Sequence, residues 1–282
     1  MSAVTATAPV AGTTVEPPRP AGARLASGYR VISHLHRSRI LDTYDLWSDE
    51  RECRCVGKAL RPDRMDDARA RDRLIDEGRL LARLTHPHIV RAYDTVSGAQ
   101  PLVVLETLGG HTLDYLVKRS RRRLREDDLV LLGLQLASAV GYLHAQGYLH
   151  LDLKPANVVI GEDGRARLLD LSLARPPGPA GPGVGTRPYQ SPEQARGGVL
   201  GPAADVWGLG AVLWEAAAGR RVFPVHGDEP PPQLERRAEP VRRRRRRLSD
   251  QLAAAIDRCL EPEATARPLL VELTARLKPL AA

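Results

Sequence analysis

His150-Leu151-Asp152-Leu153-Lys154-Pro155-Ala156-Asn157 is the stretch on which the reading of this 282-residue chain turns. An Asp, a Lys two residues on and an Asn five residues on are bracketed by Leu149 on one side and by Val158-Val159-Ile160 on the other. The pattern puts three polar side chains on a short loop that leads into a buried strand. Convergent polar groups on a loop held by a rigid scaffold are a common setting for catalysis.

Working outward, a 43% share of hydrophobic residues is enough for one large core or two modest ones. No run approaches 18 uninterrupted apolar residues, so no membrane span is expected. The first residues lack the basic start and apolar core of a signal peptide, and a cytoplasmic location is expected. Cys53, Cys55 and Cys259 are too few and too scattered for a metal cage and read as reduced packing residues. The formal net charge is +8, but six arginines in residues 242–247 carry most of it. Basicity this local is weak support for a nucleic-acid partner, and the run reads as a solvated loop, as does the smaller cluster 118–125.

Residues 1–27 are rich in Ala, Thr, Pro and Gly and nearly free of large apolar side chains, so a disordered tail is expected there. From Tyr29 the chain shows short alternating runs at 29–32, 43–47 and 53–60, which read as an antiparallel meander. Leu74, Ile75, Leu80, Leu81 and Leu84 recur at helical spacing before His86-Pro87 ends the helix. Strands are expected at 89–95 and 101–106, and Gly109-Gly110 marks a boundary. Beyond it, apolar helices are predicted over 125–146, 203–218, 248–260 and 269–277. A strand pair, 157–160 and 166–169, surrounds Gly161-Glu162-Asp163-Gly164. Residues 175–186 are mostly Pro and Gly and read as irregular.

The central stretch resembles the H-R-D-L-x-x-x-N catalytic loop of protein kinases, with Leu151 in place of Arg. Further motifs follow in the same order. Lys58, closing Val56-Gly57-Lys58, resembles the V-A-I-K lysine, and Glu77 the helix glutamate that pairs with it. Asp170 in Asp170-Leu171-Ser172 resembles D-F-G, and Ser191-Pro192-Glu193 resembles A-P-E, whose Glu pairs with an Arg matched here by Arg267. Asp205 in Asp205-Val206-Trp207-Gly208 resembles the aspartate that braces the catalytic loop. From Tyr29 to Leu277, about nine-tenths of the chain, the sequence is similar to the eukaryotic-like serine/threonine protein kinases of bacteria.

The resemblance implies an α+β, bilobal kinase-like fold. Residues 28–108 would form a small antiparallel sheet lobe with one main helix, and 109–280 a larger, mostly helical lobe. It implies transfer of the γ-phosphate of ATP to Ser or Thr of a protein substrate, with Mg2+, or Mn2+ in its place. Asp152 would orient the hydroxyl, Lys154 steady the phosphoryl group, and Asn157 with Asp170 hold the metal. Lys58, kept in place by Glu77, would contact the α and β phosphates. Leu35, Thr43, Gly57, Glu106, Leu108 and Val159 would surround the rest of the nucleotide. Lys154, with Thr186 in Gly185-Thr186-Arg187-Pro188-Tyr189, marks serine/threonine specificity.

Two departures qualify this. Leu35 to Tyr44 aligns with L-G-x-G-x-x-G-x-V-Y, yet His36, Ser38 and Leu41 replace all three glycines. Asp42 adds a negative charge near the expected triphosphate. A pseudokinase, a binding module without efficient turnover, is therefore the alternative reading. Leu151 replaces the Arg that binds a phosphorylated activation loop, and residues 175–185 contain no Ser, Thr or Tyr. The receptor and the acceptor are missing together, so gating by phosphorylation of that segment is not expected. The oligomeric state is left open.

Overall fold

A computed structural model describes residues 16–120, 123–225, 227 and 229–281. The expectation of disorder for residues 1–15 lies outside the described residues. The chain divides into two compact units: Met1–Ile75 with Thr95–Val104, and Asp76–Asp94 with Leu105–Ala282.

The first unit carries the expected meander: β1 (Arg24–Ala26), β2 (Tyr29–Arg37), β3 (Leu41–Ser48) and β4 (Cys53–Leu60) pair in sequence order, and all are antiparallel. β1 falls inside the stretch expected to be a tail. The tail's end is also tied down at Glu16, whose carbonyl accepts Arg37 Nη1 (2.7 Å), and at Arg19, whose N–H donates to Tyr44 Oη (3.0 Å). Helix α1 (Ala68–Arg83) begins in the first unit and ends in the second. β5 (Ala92–Val96) and β6 (Leu102–Glu106) complete a sheet of order β1-β2-β3-β4-β6-β5.

Residues alternate between the two faces of a strand. Thr43 pairs with Lys58 and Asp45 with Val56, so these four share one face. Asp42, Tyr44, Leu46, Cys55 and Gly57 take the other. Gly57, expected at one face of the adenine, lies on the strand face opposite Lys58. A Cβ at Gly57 would lie 2.3 Å from Leu46 Cδ1 and 3.0 Å from Leu102 Cδ1. The glycine admits those side chains, and Val56 is the residue on the face of Lys58.

In the second unit, β7 (His111–Thr112), β8 (Val158–Ile160) and β9 (Ala166–Leu168) form a small antiparallel sheet. Helix α2 (Leu113–Ser120), which the sequence reading did not anticipate, follows β7, and α3 (Glu126–Ala145) follows it. By length and composition α3 could cross a membrane. Here it packs against neighbouring helices, with Leu129, Leu132, Leu136, Val140 and Leu143 buried, which accounts for its apolarity.

In the irregular segment, β10 (Gly178–Ala180) pairs antiparallel with β11 (Gly198–Leu200), and the short α4 (Pro192–Arg196) lies between them. Helix α5 (Pro202–Ala218) is buried from Ala204 through Ala218 and closes at Gly219, whose φ of 76° suits a residue without a Cβ. α6 (Asp250–Cys259) and α7 (Leu270–Leu277) complete the core.

α5 and α6 approach closely at Gly210, where a Cβ would sit 2.5 Å from Cys259 Cβ. In Gly210→Ala, better helix propensity returns up to about 1 kcal/mol, whereas overpacking a rigid contact costs about 1–3 kcal/mol. The clash should win. A lower urea midpoint with unchanged slope is expected, and an unchanged or raised midpoint would mean the helices do not meet there.

Candidate active site

The site is built around the carboxylate of Asp205, in the first turn of α5 and only 1% exposed. Its Oδ1 accepts the N–H of Leu151 at 2.7 Å; its Oδ2 accepts the N–H of His150 and His144 Nε2, both at 2.8 Å. Leu151 is held at φ 63°, a left-handed backbone that costs a non-glycine residue about 1–2 kcal/mol. Hydrogen bonds to a charged acceptor are worth about 1.5–3 kcal/mol each, so the two backbone bonds offset that strain. The fully buried His150 ring adds a second tie. The N–H of Asp152 donates to Nδ1 (3.2 Å), which leaves Nε2–H to donate to the Leu169 carbonyl (3.3 Å).

The bend delivers Asp152, 7% exposed, into a small network. Lys154 Nζ lies 2.6 Å from Oδ2, and the Thr186 hydroxyl donates to Oδ1 at 2.6 Å while accepting from Lys154 Nζ at 2.8 Å. Asn157 Nδ2 donates to the Asp152 carbonyl (2.9 Å) and to Oδ2 (3.2 Å). With its NH2 group turned toward Asp152, Asn157 leaves its amide oxygen outside this network. Backbone bonding connects this loop to the next motif, since the N–H of Leu169 donates to the Asn157 carbonyl at 2.8 Å. Asp170 follows at φ 59°, and the N–H of Leu171 donates to Oε1 of the buried Glu77 at 3.1 Å.

Among the described residues no group of three or more His, Cys, Asp or Glu side chains forms a ready-made metal cage. The oxygens of Asn157 and Asp170 fit a hard cation that keeps water and takes further oxygens from substrate phosphates, the usual habit of Mg2+.

The predicted pair of Glu193 and Arg267 meets. Arg267 grips Glu193 through Nη1 (2.6 Å) and Nη2 (2.9 Å), donates to the carbonyls of Ala203, Glu261 and Pro262, and lies over the Trp207 ring. Burial opposes the charged form of Glu193, but hydrogen bonding to Arg267 and its charge outweigh burial and hold the carboxyl below its ordinary pKa.

Lys58 belongs to the first unit, directly across the strand pair from Thr43. Leu35 is 53% exposed on β2, Val159 is buried in β8, and Leu108 is half-buried just past β6. Glu106 is bound to residue 91: its N–H donates to the Arg91 carbonyl (3.0 Å) and its Oε1 accepts the Arg91 N–H (2.8 Å).

The expected charge of Asp42 beside the phosphates is corrected by the structure. Asp42 is fully buried on the face opposite Thr43 and Lys58, bound by Arg37 Nε (2.7 Å), Arg37 Nη2 (2.8 Å) and His34 Nε2 (3.0 Å). Burial raises its pKa, and the bonds from Arg37 and His34 more than reverse this, so its charge is neutralised locally.

The hairpin tip between β2 and β3 is closed on itself. The Ser38 N–H and hydroxyl both donate to the Leu41 carbonyl (2.8 and 3.0 Å), and the Ser38 hydroxyl oxygen accepts the N–H groups of Ile40 (3.2 Å) and Leu41 (2.8 Å). Arg61 takes the outer carbonyls. Its Nη1 donates to Ser38 and Arg39 (both 3.3 Å) and its N–H to Ile40 (3.0 Å), while Asp63 holds its guanidinium in a two-point pair.

Sequence reading did not anticipate His144, Ser38 or Arg61 in these roles: Ser38 and Arg61 act through backbone groups that a motif does not display, and His144 lies outside the motifs and meets only the Asp205 carboxylate. It placed the arginines of 242–247 in solvent, yet three have intramolecular partners: Arg242 with Asp250, Arg244 with Glu239, and Arg245 with the Leu124 carbonyl.

A family model for the protein kinase domain matches residues 34–276, and the chain belongs to that family. It is 31% identical over 219 residues to a probable serine/threonine-protein kinase of Streptomyces coelicolor, covering 73% of this chain and 32% of that protein. It is 30% identical over 233 residues to serine/threonine-protein kinase PknA of Mycobacterium tuberculosis, covering 76% and 54%. With serine/threonine-protein kinase PkaA of Streptomyces coelicolor it shares 34% identity over 230 residues, covering 78% and 42%. The chain thus spans between about a third and about half of the length of these relatives.

The brace can be tested alone. Asp205→Asn keeps the shape but turns an NH2 toward a backbone N–H, leaving one buried donor unmatched at a cost of about 1–3 kcal/mol. A melting temperature lowered accordingly is expected, and an unchanged one would show that Asp205 does not hold Leu151 in its strained backbone.

Proposed function

We propose that this chain transfers the γ-phosphoryl group of ATP to Ser or Thr hydroxyls of a protein, and that its activation segment needs no phosphate to do so. The observation that carries the reading is the Asp152 carboxylate, nearly buried and fixed between Lys154, Thr186 and Asn157. Phosphoryl transfer asks a protein mainly for position and charge stabilisation. Asp152 supplies a carboxylate that orients the acceptor hydroxyl and takes its proton. The Lys154 ammonium stands ready to balance charge that develops on the phosphoryl oxygens. Lys58 would hold the inner phosphates, and Asn157 with Asp170 would hold Mg2+, which when bound neutralises phosphate charge.

Support for the ungated segment comes from what surrounds Leu151. It is 3% exposed in an apolar cluster with Leu149, Leu200 and Ala204, against which Ala180 and Val184 of the segment pack. Gln194 Nε2 donates to the carbonyls of Leu151 (2.8 Å) and Val184 (3.1 Å). At Gly185 (φ 97°) a Cβ would lie 2.6 Å from the Leu151 carbonyl oxygen, so the two backbones meet with no room for a side chain. Apolar packing and backbone bonds thus do here what a phosphate held by arginine does elsewhere. The second reading, a binding module with little turnover, is favoured by the closed hairpin tip.

Radiolabelled ATP incubated with the protein and a generic basic Ser/Thr substrate separates the two. Label transfer should fall by roughly a hundredfold or more in Asp152→Asn, in line with loss of general-base assistance. Equal label from both proteins would end the enzyme reading.

A further inference from the structure

The closed hairpin tip carries an inference about how this protein holds nucleotide. A loop that grips phosphate does so with backbone N–H groups pointing outward at the anion. At this tip the N–H groups of Ser38, Ile40 and Leu41 are all engaged within the turn, two of them by one serine hydroxyl. That hydroxyl is itself saturated, accepting twice and donating once, to the Leu41 carbonyl. The carbonyls of Ser38, Arg39 and Ile40 are held by Arg61, so the turn is pinned from the other side as well. Of the cationic side chains around the tip, Arg37 is bound to the buried Asp42 and Arg61 to Asp63, while His36 and Arg39 are exposed.

We infer that Ser38 is an affinity-setting residue: by capturing the Ile40 and Leu41 amides it withholds them from the triphosphate, so nucleotide is held by its base and by side chains such as Lys58 rather than by the backbone of the tip. The consequence is weak discrimination between a nucleotide and its nucleoside. Missing glycines are not the whole cause, because backbone N–H groups exist at any residue. What occupies two of them, those of Ile40 and Leu41, is the serine hydroxyl. Restoring donors therefore needs only the loss of one oxygen atom.

This rests on the nucleotide-binding reading above but not on turnover, since its readouts are binding and amide exchange. Titration calorimetry gives the affinities of Mg-ATP and of adenosine for the wild type, Ser38→Ala and Ser38→Gly. Hydrogen exchange at Ile40 and Leu41 shows whether their amides have been released. In both variants, exchange at the two amides should speed up, and the affinity ratio of Mg-ATP to adenosine should rise by about tenfold or more, the order expected for a regained charge-assisted hydrogen bond. A ratio that stays within about twofold of wild type would overturn the inference, as would exchange that does not change. If the variants bind no Mg-ATP, the inference also fails. Wild-type label transfer that depends on Asp152 would still stand in any of these cases, so failure here is distinct from failure of the proposed reaction.

Discussion

The contact on which the second unit depends is the one between Asp205 and two consecutive backbone N–H groups, those of His150 and Leu151. A leucine at φ 63° is not a conformation the chain adopts unaided. The buried carboxylate makes it the stable one, and the reversal of direction it creates sends Asp152 into the site and the Leu151 side chain into an apolar cluster. The two consequences are coupled. The same residue that bends the loop toward Asp152 supplies the surface on which Ala180 and Val184 rest, and its carbonyl anchors Gln194. Loop geometry and segment position are thus set by one local strain and one buried charge.

The first unit solves a different problem. A kinase-like sheet with no glycines at its β2–β3 turn must still satisfy the turn's polar groups, and here a serine hydroxyl and an arginine do so. Asp42 is part of the same economy of buried polar groups: it is tolerated at 0% exposure because Arg37 and His34 complete its hydrogen bonds. The result is a hairpin whose stability is internal, in contrast to the second unit, where the strained positions Leu151 and Asp170 flank the loop 152–157 and its neighbouring motif.

Much of this was legible in the sequence, for identifiable reasons. Asp152, Lys154, Asn157, Asp205, Glu193 and Arg267 could be picked out because each belongs to a motif with one residue type at one spacing; in the structure Asp152, Lys154 and Asn157 meet, Asp205 holds the N–H groups of His150 and Leu151, and Glu193 pairs with Arg267. The helices α3 and α5 announced themselves through length and apolar content. What escaped was of two kinds. That Gly57 and Asp42 lie on the strand face opposite Lys58 could not be read beforehand, because a motif gives order along the chain while strand register gives the face, and register is set by pairing partners. Ser38, Arg61 and Gln194 escaped because they bind backbone atoms, which any sequence supplies. The short helix α2 and the strand pair β10–β11 escaped because their patterns are too short to show a period.

The central claim is that the phosphotransfer centre is assembled by packing, with no phosphate in the activation segment. The most direct test is the progress curve of label transfer from ATP to a Ser/Thr peptide by protein that has been fully dephosphorylated beforehand, with its phosphate content checked by mass spectrometry. The account predicts a linear start with no lag and a rate equal to that of untreated protein. A lag that disappears as phosphate accumulates on the protein, or a rate lost on dephosphorylation and regained on rephosphorylation, would contradict it.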